Sequence, residues 1–157
     1  EKIERKTYPA IFEYIGVIKS SHEVEIRARV TGYLEEIAFI EGSSVNKGDL
    51  LFQIDPRPFQ ASLAQANAQL AREKAVLWQA ERSVKRFKPL YEQKAASQRD
   101  LDNAIASEMA ANAQVLAAQA QVADAEINLS YTTIRSPVHG LTTQAKYRVG
   151  ALIFLIC

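Results

Sequence analysis

From Pro58 to about Asn128 the chain has no glycine and is dominated by alanine, glutamine and leucine, a composition that favours helix. Within it Leu63, Ala66, Leu70, Glu73, Leu77, Ala80, Val84, Phe87 and Tyr91 follow alternating steps of three and four. That spacing is a coiled-coil seam, with Glu73 as its polar interruption. A second series, Leu101, Ile105, Glu108, Asn112, Val115, Gln119, Val122, Glu126 and Leu129, keeps the rhythm with a more polar filling. Alanines crowd around it, and small side chains let helix backbones approach closely. Each arm of roughly 35 residues would reach about 50 Å at the α-helical rise. The arms meet at "EQKAASQRD", where Ser97 and Asp100 read as a variant capping box starting the second helix. So short a connection predicts an antiparallel hairpin. A compact bundle would need further helices that two arms do not supply. Pro89 sits inside the first arm, where proline removes a hydrogen bond and clashes with the preceding turn, so a kink or loosened turn is expected there.

The flanks have a different period. "VEIRARV" alternates apolar and charged residues and "LLFQI" is a short β-type run, punctuated by Gly32, Gly42 and Gly48. After Tyr131 the strand pattern returns as "YTTIRSPVHGLTTQAKYRVGALI". Val30-Thr31-Gly32 aligns with Val138-His139-Gly140, and Gly42 and Gly150 each follow ten residues behind the leading glycine. This is an imperfect internal repeat. The stretch "FIEGSSVNKGDLLFQIDPRPF" is similar to half of a swinging-arm carrier domain, which holds lipoate or biotin on a lysine at a hairpin tip. Here two prolines follow, with no lysine until Lys74 in the helical pattern. The helices therefore replace the arm, and the two β segments are expected to close as one sandwich.

The stretches "ARVTGYLEEIAFIEGSSVNKGDLLFQIDPRPFQASLAQANAQL" and "INLSYTTIRSPVHG" carry a more specific resemblance. They resemble the membrane fusion proteins, or periplasmic adaptor subunits, of tripartite efflux pumps of the resistance–nodulation–division type, within the HlyD-like superfamily. The resemblance runs from about Val24 to Leu152 and implies an α+β fold. A split lipoyl/biotinyl-like β-sandwich is interrupted by a long antiparallel coiled-coil hairpin, with a β-barrel fragment at the N-terminus. The expected division is 1–23 for the barrel strand and linker, 24–57 for the first lipoyl-like half and 58–129 for the hairpin. The second half follows at 130–152 and an apolar tail at 153–157.

The same resemblance implies a tip motif of an arginine, a leucine four residues on, a serine seven further and an aspartate five beyond it. In this chain these are Arg86, Leu90, Ser97 and Asp102. By resemblance they dock on an outer-membrane channel protein, while the rest engages an inner-membrane transporter in a six-fold homo-oligomeric ring. The implied location is the periplasm, attached to the inner membrane. Pro89 within the motif departs from the family pattern. Arg86 offers a planar fork of donors. Ser97 has a second explanation as the cap of its own helix. The tip is basic through Lys85, Lys88, Lys94 and Arg99, partly offset by Glu92 and Asp100.

Composition narrows the alternatives. A net charge of +1 gives no case for a nucleic-acid partner. Cys157, the one cysteine, ends the chain, so no internal disulfide is expected. The opening "EKIERK" is not a signal peptide, and the closing "ALIFLIC" is too short to span a bilayer. That ending lacks a polar turn, and 153–157 are expected to form an exposed apolar tail. His22 and His139 are far apart in sequence, and metal sites want clustered ligands, so His139 is read as a turn residue. No phosphate-cradling loop or nucleophile elbow is present. No catalytic residue, cofactor or metal is expected. Trp78 lies one step off the first seam and is expected to pack along an arm or a neighbouring copy. The rival readings are an adaptor of an ABC-type or type I secretion exporter, and a lipoyl or biotinyl carrier domain.

Overall fold

The computed structural model describes residues 22–154 together with Glu13. The expected barrel segment at 1–23 falls almost entirely outside the described residues, as do positions 155–157 of the expected tail. The order of elements is β1 (Gly32–Ile37), β2 (Ser44–Val45), β3 (Leu50–Ile54), α1 (Arg57–Glu92), α2 (Gln98–Ser130), β4 (Thr133–Arg135), β5 (Gly140–Leu141) and β6 (Leu152–Ile153). One sheet has the order β4-β3-β1-β6 and a second pairs β2 with β5, so both contain strands from each side of the helical insert. The β segments before and after the helices thus fold as one unit.

The internal repeat explains how they interlock. Gly32 and Tyr33 of β1 pair with Ile153 and Leu152 of β6, while Gly140 and Leu141 of β5 pair with Val45 and Ser44 of β2. Each half lends its second strand to the other half's first. The turns repeat the exchange. The Gly42 amide donates to the Thr142 carbonyl at 3.1 Å and the Thr142 amide returns to Ser43 at 2.9 Å. At the related site the Gly150 amide donates to Leu34 at 2.8 Å and the Leu34 amide to Ala151 at 2.9 Å. Gly42 and Gly150 have φ of 80° and 88°, the left-handed region in which a side chain is disfavoured. The chain is therefore folded about an approximate two-fold relation.

That relation fails where only one half meets the core. Val30 is 7% exposed, while its counterpart Val138 is 45% exposed. Leu34 is sealed in the core with Leu51, Ile54, Val45 and Ile153. Its counterpart Thr142 instead spends its hydroxyl on the carbonyls of Ile40 and Ser43. Strand β6 carries the second half through Ile153, whose side chain is buried, and Phe154 is the first exposed residue beyond it. His139 donates from Nδ1 to the Val45 carbonyl at 2.9 Å, which ties the β5 turn to β2.

The strand expected in "VEIRARV" is not formed. Ile26, Ala28 and Val30 are the protected residues of the alternation, as the pattern requires, but residues 24–28 pair with no strand among the described residues. Alternation selects a face; a strand needs a neighbour as well, and β1 already lies between β3 and β6.

The helices leave from adjacent strands. Residues Gln53 and Thr133 of β3 and β4 face each other, and α1 and α2 grow from the ends beside them. The root is tightly tied. Pro56 at the N-cap of α1 has no capping side chain, and the Asp55 carboxylate takes the role by accepting from the Arg57 amide at 3.0 Å. Arg57 closes a second grip through its guanidinium, at 2.8 and 2.7 Å. The Arg57 side chain, then its amide, hold the Asp55 carboxyl down at about 2. On the other side the buried Thr132 donates to Leu129, and its carbonyl accepts from the Ile54 amide at 2.8 Å.

In α1, every residue of the expected seam from Leu63 to Phe87 is buried or half-buried, and only Tyr91 at the end is exposed. In α2 half of the expected seam is corrected. Leu101, Glu108, Val115, Val122 and Leu129 do face inward, but the residues between them are Ala104, Ala111, Ala118 and Ala125. Ile105, Asn112, Gln119 and Glu126 are exposed. The larger residues at these positions gave the impression of a seam. The alanines one step earlier are what a close approach of two helices selects, since the side chains at the contact set the interaxial distance. Glu73 is the polar member of the α1 face, and its carboxylate accepts from Gln69 at 2.6 Å and Arg72 at 2.9 Å.

Candidate functional site

The end of the hairpin opposite the sandwich is built by two helix caps. Helix α1 stays α-helical through Pro89 to Glu92, so the break comes at Gln93 and not at the proline. Pro89 has no amide to return to the Lys85 carbonyl, yet both residues are exposed, where water can satisfy the orphan.

Past Gln93 the chain turns through Lys94, the one non-glycine residue with positive φ among those described, at 59°. The Lys94 amide donates to Tyr91 at 2.9 Å and the Ala95 amide reaches back to Leu90 at 2.8 Å. These are the two bonds of a Schellman motif, in which the left-handed position is usually glycine. A lysine there holds a conformation costing about 1–2 kcal/mol for an L-residue. Sequence reasoning missed this position. No glycine or proline marks it, and the only signal is the short gap between a helix ending near Glu92 and a cap at Ser97.

Ser97 is the N-cap of α2 and forms a complete capping box with Asp100. Its hydroxyl accepts from the Asp100 amide at 3.2 Å, and the Asp100 carboxylate accepts from the Ser97 amide at 3.2 Å and from its hydroxyl at 2.6 Å. The Ser97 side chain and then its amide lower the Asp100 pKa.

The four residues of the expected tip motif all lie at this end, in different settings. Arg86 is exposed on the second-last turn of α1, its guanidinium 5.5 Å from the Phe87 ring centre. Leu90 is half-buried, and its carbonyl also accepts from Ala96. Ser97 is occupied as a cap. Asp102 is exposed on the first turns of α2, and it is Asp100, not Asp102, that engages Ser97. Lys85, Lys88, Lys94 and Arg99 are exposed around them. Farther down α1, Arg82 lies 4.8 Å over the exposed Trp78 ring, so Trp78 is off the inner face as its position predicts.

A shallow recess of about 420 Å³ borders Phe39, Ile40 and Ser44, and another of about 300 Å³ borders Ile26, Tyr131 and Pro137. Among the described residues no group of three His, Cys, Asp or Glu side chains is placed to hold a metal.

Residues 22–154 match the family model described as "RND MFP, barrel-sandwich hybrid domain". The chain belongs to this family of membrane fusion proteins. The fold agrees with that description, because an interlocked two-sheet unit carries a two-helix hairpin. This membrane fusion protein chain is 41% identical over 145 residues to the efflux pump periplasmic linker BepD of Brucella suis biovar 1 (strain 1330), covering 92% of the chain and 36% of BepD. It is 40% identical over 129 residues to the multidrug export protein AcrE of Escherichia coli K12, covering 82% of the chain and 34% of AcrE. It therefore spans about a third of the curated relatives it matches.

Among solved structures, a MacA–MexA chimera containing the Pseudomonas aeruginosa MexA α-hairpin domain matches with a TM-score of 0.55 at 32% identity, over 83% of this chain and 42% of that one. ZneB from Cupriavidus metallidurans matches with a TM-score of 0.59 at 26% identity, over 83% and 55%. No helix among the described residues is long and apolar enough to cross a membrane.

Proposed function

We propose that this chain is the hairpin-bearing part of a periplasmic adaptor that links an inner-membrane transporter to an outer-membrane channel for the export of drugs or other solutes. The observation that carries the reading is the rooting of a rigid two-helix rod in adjacent strands of an interlocked sandwich. Its helices of 36 and 33 residues extend about 50 Å to an exposed basic tip. A rod tied at its base by the β3–β4 pairing and the Ile54–Thr132 bond transmits position and needs no bond-making chemistry. The names of the relatives, an efflux pump periplasmic linker and a multidrug export protein, support the same role.

In this reading the sandwich is of the lipoyl/biotinyl carrier type, with the hairpin standing where the modified lysine would be. The helices wind as a coiled coil through their three-and-four faces. Arg86, Leu90, Ser97 and Asp102 contact the channel, Ser97 doing so while capping its own helix. One tip is far smaller than a standard interface, so several copies in a ring, six by the family resemblance, act together by effective concentration.

The test is Arg86→Asp and, separately, Leu90→Asp. Arg86 is exposed and Leu90 is half-buried on the last turn of α1, so circular dichroism should show unchanged helix content for Arg86→Asp and at most fraying of that last turn for Leu90→Asp. In-cell cross-linking to the channel should be lost. Undiminished cross-linking of both variants would refute the docking role.

A further inference from the structure

Lys94 is held in the left-handed conformation at the apex of the hairpin, where the Schellman motif would take glycine without strain. Its neighbours Ala95 and Ala96 are small, and the Lys94 side chain is exposed. The surroundings are electropositive. From Lys85 to Asp102 the basic residues are Lys85, Arg86, Lys88, Lys94 and Arg99, against Glu92, Asp100 and Asp102. The segment thus carries two net positive charges, more than the +1 of the whole chain. Of its acids, Asp100 is already bound in the capping box with Ser97. The apex therefore presents cations without local carboxylate partners of comparable number.

We propose that Lys94 is a specificity-determining contact of the hairpin apex, pairing with a carboxylate on the periplasmic face of the outer-membrane channel protein. This rests on the docking role of the tip and deepens it. A strained backbone persists where something else determines it. A purely structural account is also available, because a cation beside a helix C-terminus is favoured by the helix dipole. The two accounts differ in what a substitution does to binding. Lys94 carries a single flexible ammonium on the exposed apex turn, and a charge-assisted bond to a carboxylate is stronger than a neutral one. Such pairs set association rate and partner choice and weaken with salt.

The experiment treats cell envelopes containing the assembled protein with a water-soluble carbodiimide. The reagent condenses a lysine amine with a touching carboxylate and adds no spacer. Mass spectrometry is expected to find Lys94 joined to an Asp or Glu of an outer-membrane channel protein. Lys94→Asn tolerates the left-handed turn but is neutral. It should weaken co-purification with the channel about tenfold at low salt, and Lys94→Arg should retain it. Lys94→Gly should raise the Tm by about 2–4 °C and weaken co-purification as the asparagine does. If Lys94→Asn and Lys94→Gly both leave co-purification unchanged while Arg86→Asp abolishes it, Lys94 is only a cap and the proposal falls while the docking reading stands. A Lys94 adduct confined to a second copy of this chain would also overturn it. Loss of effect in Arg86→Asp as well would take the docking reading with it.

Discussion

At Gly32 the backbone of β1 runs so close to Ile54 that an added Cβ would sit 2.6 Å from Ile54 Cγ2. Ile54 is fully buried and packed on the Leu34 side of the core, so it has nowhere to retreat. Its partner in the repeat, Gly140, has nothing among the described residues within 4 Å of the same imaginary atom. Two glycines at equivalent places in the sequence thus do different work. Gly32→Ala should destabilise the protein by about 1–3 kcal/mol. Gly140→Ala should fall within about 0.5 kcal/mol of the parent. Equilibrium denaturation in urea checks both. The repeat was legible from Gly32, Gly42, Gly140 and Gly150, but not which copy faces the core. That depends on Ile54, which lies outside the repeated stretch from Val30 to Val45.

The hairpin was legible as two arms because composition and spacing agree over many turns. The α1 face was read correctly, since Leu63, Leu70, Leu77, Val84 and Phe87 put large apolar side chains at that spacing. The α2 face was read half wrong. Sequence scanning weights size, and it preferred Ile105 to Ala104; close packing of two helices prefers the reverse. Ala118 is 3% exposed while Gln119 is on the surface. Ala118→Leu should therefore cost about 1–3 kcal/mol by overpacking, and Gln119→Leu should change stability by about 0.5 kcal/mol or less. Thermal unfolding of the two variants separates the faces; equal effects would mean that the helices are in a different rotation. The caps divide the same way. Ser97 announced itself through Asp100, because a capping box is a sequence pattern. Lys94 did not, because its left-handed turn is set by where α1 ends and α2 begins and not by its own preference.

The whole molecule depends on exchange between its halves. Strand β2 belongs to the first half and pairs with β5 of the second, and β6 returns to β1. A rod some 50 Å long can only report position if its base cannot splay. The reciprocal exchange, together with the β3–β4 pairing and the Ile54–Thr132 bond at the roots of the two helices, prevents that. The N-terminal barrel expectation had no chance to be read from the fold, since it concerns residues outside those described. The most direct test joins the exchanged strands. In a Cys157→Ser background, Ser44→Cys and Leu141→Cys place thiols on directly paired, exposed positions of β2 and β5. With a site-specific protease sequence inserted in the exposed turn between the helices, the account predicts that after mild oxidation and cleavage there the two fragments migrate as one on a denaturing non-reducing gel and separate only on reduction. Fragments that separate without reductant, although both thiols remain free, would contradict it.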